Sequence, residues 1–192
     1  ADLGYTALAL TDECSVAGVV RAAVEARVAR EGRSEPLHFI VGSTFRLETG
    51  DAGLFVPLGT RAPLELVVLC CNREGYGNLV ELITLARTRA PKGEYRLSRD
   101  DLVFPPPGSE HLRGLPDCLV ILAPAQGVEA DVLAEQAAWA QAVFGERLWL
   151  GLTLLHGTGD AAQRSVVQAV AAQQGLPVVA TGDVRMHLRS CK

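Results

Sequence analysis

The sequence predicts an α/β domain built on a largely parallel sheet with helices against it. Three observations lead there. Short apolar strands alternate with amphipathic helices along the chain, and the strands are apolar on both faces, as strands buried on both sides are. Several helical stretches stop at a glycine, the residue that tolerates the left-handed turn after a last helical carbonyl. No internal repeat, G-x-G-x-x-G turn or Walker loop is present, so nucleotide-binding sheets lose support and a barrel is preferred over a doubly wound sheet. At 192 residues the whole chain, 1–192, fits one domain with a real core.

The elements follow in order. Ala-Asp-Leu-Gly at the start reads as the last turn of a helix with Gly4 after it, and the only methionine is Met186, so the chain is expected to be truncated at both ends. Residues 5–11 (YTALALT) form a short strand closed by Asp12. A helix follows with Ser15 as N-cap and Val16, Val19, Val20, Ala23 and Val24 on one apolar face, ending by Gly32. Leu37–Val41 is a strand that Gly42 breaks, and Thr44–Leu47 pairs with Leu54–Pro57 around the turn Gly50–Gly53. Strand Leu64–Cys71 runs into Asn72 and a helix carrying Leu79, Leu82, Ile83 and Ala86. Residues 91–117 read as mostly irregular, with a surface loop at Pro105–Gly108. Then come strand Cys118–Ala123, helix Glu129–Phe144, strand Arg147–Leu155, helix Asp160–Gln174 stopped by Gly175, and strand Pro177–Thr181.

Composition narrows function. Hydrophobic residues make up 48% and charged residues 21%, an ordinary globular balance, and no apolar run is long enough to span a bilayer. With no cleavable signal at its head, a cytoplasmic location is expected. The net charge of −4 argues against a free-standing DNA binder, since phosphate neutralisation supplies most non-specific affinity. The five cysteines (Cys14, Cys70, Cys71, Cys118 and Cys191) have no metal-type spacing and read as reduced, small apolar residues.

In parallel α/β folds chemistry gathers where strands end. Here those ends carry Asp12 and Glu13, Thr44, and the run Asp183, Arg185 and His187. Carboxylates and imidazoles suit a divalent metal. The alternatives are structural: Asp12 capping a helix, Asp183 holding a turn, His187 in solvent. Arg87, Arg89, Lys92, Arg96 and Arg99 form one local basic cluster, fit either for phosphate or interdomain contact or for a solvated helix end complementing its dipole.

Four strings in order, ALALTDECSVAGVVRA (7–22), HFIVGSTFRL (38–47), VVLCCNREGYGNLVELITLARTRAPKGEYRL (67–97) and VVATGDVRMH (178–187), resemble the PHP domain of bacterial C-family, polymerase III alpha-like DNA polymerases. The likeness is greatest to the error-prone, damage-induced translesion form. The resemblance implies a PHP-type distorted (β/α)7 barrel, here lacking its first strand, with a multi-metal mouth that is a phosphoesterase in active relatives. On this chain it maps Asp12 onto a kept acidic position, Glu13 onto a histidine, Thr44 onto a glutamate, Glu65 onto a histidine, and Asp183 and Arg185 onto an Asp-x-His pair. Arginine cannot ligate a metal because its guanidinium only donates. The implied reading is a vestigial site in a structural module, with Arg185 supplying positive charge to Asp12 or Asp183. No cofactor is then expected for the chain itself. Mg belongs to the parent polymerase, and Zn or Mn to an active site of the PHP type. The expected partners are downstream polymerase domains, DNA through the parent, and other translesion-synthesis proteins, with no membrane. The alternative is a metal-dependent phosphoesterase.

Overall fold

The computed structural model describes residues 4–29, 37–48 and 64–184. Six strands form one curled sheet in sequence order: β1 (Ala7–Leu10), β2 (His38–Leu47), β3 (Leu64–Cys70), β4 (Cys118–Ala123), β5 (Leu148–Thr153) and β6 (Val178–Thr181). The pairs β1–β2, β4–β5 and β5–β6 are parallel, but β2–β3 and β3–β4 are antiparallel. The expected parallel sheet is therefore a mixed one. Apolarity on both faces does not report direction, so the pattern could not reveal that β3 runs against its neighbours, and the second face is only partly buried, with Leu119 and Trp149 exposed.

The reversal at β3–β4 has a visible cause in the chain path. After β3 the chain runs back along helix α2 (Arg73–Thr88), then a second time through residues 89–117, so it enters β4 beside the end of β3. Residues 91–117 are less irregular than expected. They hold a short helix α3 (Arg99–Val103), whose capping box joins Ser98 and Asp101, and a 3-10 turn at Glu110–Leu112. The return loop carries left-handed backbone at Gly114, Leu115 and Asp117. Arg147 pins it by donating to Gly114 O at 2.6 Å, Leu115 O at 2.7 Å and Cys118 O at 2.9 Å.

Alternate residues of β3, β4 and β5 point to one buried face: Leu64, Leu66 and Val68, then Cys118, Val120 and Leu122, then Leu148 and Leu150. Helices α2, α4 (Ala130–Phe144) and α5 (Asp160–Gln174) complete this core with Leu79, Leu82 and Ala86, Leu133, Ala137 and Ala140, and Val167 and Val170. Asn72 caps α2 as its side chain accepts from Gly75 N–H at 2.9 Å, and Gly175 ends α5 in the left-handed conformation.

Helix α1 (Val19–Val28) departs from expectation at both start and face. Its N-cap is Gly18, not Ser15, whose hydroxyl instead accepts from Ala17 N–H at 3.1 Å. Its apolar side is largely uncovered: Val20 is 76% and Val24 44% exposed, and Ala26 is the helix's one buried residue. Gly42 does not break a strand but lies inside β2. A Cβ there would come within 2.4 Å of Val68 O, so glycine lets β3 approach closely. The hairpin expected at 44–57 falls partly outside the described residues, as does the end of α1 expected at Gly32.

Candidate functional site

The antiparallel course of β3 assembles one end of the sheet. Asp12 and Glu13 follow the C-terminal end of β1, Arg46 lies near that of β2, and Asp183 follows that of β6. Glu65 lies at the start of β3, and because β3 is reversed it faces Arg46 directly across the ladder and Ala123 at the end of β4. Asp12 and Asp183 follow opposite edge strands. Arg185 and His187 lie outside the described residues.

Thr44 and Ser43 are tied to backbone. Thr44 Oγ1 donates to Thr11 O at 2.9 Å, while the Thr44 peptide exchanges bonds with Asp12 O (3.1 Å) and Cys14 N–H (2.8 Å). Buried Ser43 donates to Asp12 O at 2.8 Å and accepts from Ser15 N–H at 3.1 Å. These bonds make the loop after β1 an extension of the sheet. Asp12 does not cap α1 by a side-chain bond; its carboxylate lies against Gly18, where a Cβ would be 3.3 Å from Oδ2.

The acidic positions are instead connected through a guanidinium and a phenol. Arg46 Nε donates to Glu65 Oε2 at 3.0 Å, and Arg46 Nη1 lies 3.8 Å from Glu13 Oε1. Tyr95 donates its hydroxyl proton to Glu13 Oε1 at 2.9 Å and accepts from Arg46 N–H at 2.8 Å. The bond to Glu65, then the field of Glu13, hold the Arg46 pKa above its ordinary value. Burial chiefly, with the Glu13 carboxylate adding to it against the lowering bond from Arg46 N–H, pushes Tyr95 up to about 12. Both ion pairs are partly open to water, so each contributes a modest amount, on the order of 1 kcal/mol or less.

Divalent metals need several oxygen or nitrogen donors converging on one point. Among the described residues, no group of three or more His, Cys, Asp and Glu side chains could hold a metal ion. Glu13 and Glu65 converge on the cationic Arg46, and Thr44 Oγ1 is turned to a backbone carbonyl. Among the described residues, this set of donors does not fit a divalent cation.

Four of the five basic-cluster residues bind within the fold. Arg87 Nε donates to Cys14 O at 3.1 Å, Nη2 to Glu13 O at 3.2 Å and Nη1 to Gly93 O and Glu94 O at 3.3 Å, while its guanidinium lies 5.5 Å from the Tyr95 ring centre. Arg89 pairs with Asp101. Arg96 lies 3.8 Å from Glu48, and Arg99 grips Glu135 through two bonds of 2.6 and 3.2 Å while lying over Trp139. Lys92 is exposed in the turn after α2. Sequence reading missed Arg46 and Tyr95. Their signal lay in the strings HFIVGSTFRL and KGEYRL, but only strand register shows that Arg46 faces Glu65.

Comparison with known proteins gives the family. The model of the PHP domain family matches residues 1–148. The chain is 53% identical over 192 residues to an error-prone DNA polymerase of Bordetella parapertussis, covering 100% of this chain and 17% of that protein. It is 47% identical over 189 residues to the error-prone DNA polymerase of Burkholderia mallei and 48% identical over 189 residues to that of Ralstonia pickettii, covering 98% of this chain in each case. The chain spans 17% and 16% of those two proteins, a small part of their length. With the matched family covering most of the chain, this protein belongs to the PHP domain family.

Proposed function

We propose that this chain is a single PHP domain acting as a non-catalytic structural module of an error-prone, DNA-directed DNA polymerase of translesion synthesis. The observation that carries the reading is Arg46, a permanent cation lying between two carboxylates at positions the family uses for metal ligands. A guanidinium compensates the acids without ligating anything, so charge balance at the mouth needs no metal. The names of the relatives support the polymerase context, and the curled mixed sheet is compatible with a distorted barrel of the PHP type. In this reading the downstream polymerase domains are the partners, DNA is met through them in the cytoplasm, and Mg serves their active site. Among the described residues no helix is long and apolar enough to cross a membrane. The internal bonds of Arg87, Arg89, Arg96 and Arg99 favour a structural role for the basic segment over DNA contact.

The test is to incubate the intact protein with manganese or zinc, a single-stranded DNA and a small phosphate ester. The expected result is no hydrolysis above a protein-free control. Turnover that disappears with Asp12→Asn would overturn the proposal in favour of a metal-dependent phosphoesterase.

A further inference from the structure

At the end of the β3–β4 ladder away from the mouth, two thiols face each other. Cys70 and Cys118 are direct cross-strand partners. The bond from Cys71 N–H to Asp117 O, at 2.9 Å, lies one step outside them, so the pair occupies a non-hydrogen-bonded position of the antiparallel ladder. At such positions α-carbons lie about 4.5 Å apart and side chains are closest. That spacing falls within the roughly 4.4–6.8 Å that a disulfide spans. Directly opposed residues project to the same face of a sheet. Cys118 is fully buried and Cys70 half-buried, so one sulfur is within reach of solvent and the other lies behind it. Cys118 Sγ donates to Gly75 O at 3.4 Å in the first turn of α2. The neighbouring Cys118 thiol lowers the Cys70 pKa despite burial, while Cys70 and then burial raise that of Cys118.

We propose that Cys70 and Cys118 are a modification site at which a reversible cross-strand disulfide forms, with a low-molecular-weight disulfide as oxidant. The Cys70 thiolate attacks one sulfur of the oxidant, forming a mixed disulfide and expelling one thiolate. The Cys118 sulfur then attacks the Cys70 sulfur, giving the internal bond and expelling the second thiolate. The two protons lost by the protein end on the two released thiols, and the two electrons lost by its sulfurs are gained by the oxidant. The new bond closes a long loop holding α2, α3 and the Arg147-pinned return segment, and cross-links over long loops constrain the unfolded chain most. Cys71, exposed and next in sequence, is the competing thiol.

The experiment exposes the intact, natively folded protein to glutathione and glutathione disulfide at a series of ratios, followed by acid quench, alkylation and peptide mapping. The expected product has lost one pair of hydrogens, links Cys70 to Cys118, reverts with dithiothreitol, and melts roughly 5 °C or more above the reduced form. Cys71→Ser should give the same product, and Cys118→Ala should stop at a glutathione adduct on Cys70. A Cys70–Cys71 link, an adduct confined to Cys71, a bridge formed only in denaturant, or no bridge at any ratio would each overturn the proposal.

Discussion

Helices α1 and α2 carry similar apolar periodicity but have opposite fates. In α2, Leu79, Leu82 and Ala86 are essentially inaccessible, pressed between β3 and the returning chain. In α1, Val20, Val24 and Val28 stay exposed, as does Leu8 of the edge strand β1. A hydrophobic stripe gains its roughly 25 cal/mol per Å² only where another surface removes it from water. Periodicity states that a face can be buried; the partner layer decides whether it is.

The sharpest way to break this contrast is truncation on each helix, measured by denaturant unfolding of the intact protein. Leu79→Ala should cost about 2–5 kcal/mol through lost transfer energy and a residual cavity. Val20→Ser should change stability by no more than about 0.5 kcal/mol. Equal costs would show that the α1 face is covered in the intact protein, and the contrast between the helices would fall.

A smaller effect tests the link between α2 and the mouth. Arg87→Lys should destabilise by about 1–3 kcal/mol, because a single ammonium cannot serve the four carbonyls the guanidinium reaches. It should also raise amide exchange in residues 12–15 before it does so in β4. Uniform exchange changes across both regions would show that Arg87 does not act as a local clasp.

The smallest effect is a pH dependence. The folded state holds the Tyr95 pKa near 12, above the ordinary value of about 10. Its protonated form is thus favoured by folding. That contribution is complete below about pH 10 and is lost as pH rises through about 12. The ultraviolet difference titration between wild type and Tyr95→Phe should show one phenol ionising near the upper limit. Ionisation near pH 10 would show that the phenol is neither buried nor bonded to Glu13 as described.

Much of this fold was legible before any coordinates. Strand Cys118–Ala123 and helix Asp160–Gln174 match their expected bounds, because each pairs a strong periodicity with clear stop signals such as Gly175. The capping box at Ser98 was overlooked within a stretch dominated by prolines and charges, though its Ser-x-x-Asp spacing was in plain view. At the mouth, Asp12, Glu13 and Thr44 were read from the strand ends and Glu65 from the resemblance, whereas Arg46 was in neither reading. Its importance comes from a cross-strand neighbour 19 residues away. The cysteines show the same limit: Cys70 and Cys118 are far apart in sequence, and spacing alone gives no reason to join them.

The sequence by itself determined most of the strands and long helices, the stop of α5 at Gly175 and the family, since these rest on short-range pattern and on ordered local strings. Strand direction, the register that sets Arg46 against Glu65 and Cys70 against Cys118, and the uncovered face of α1 were decided only by the tertiary structure. Each depends on which distant segment packs alongside, and a strand's side-chain alternation is the same whether its neighbour runs with it or against it.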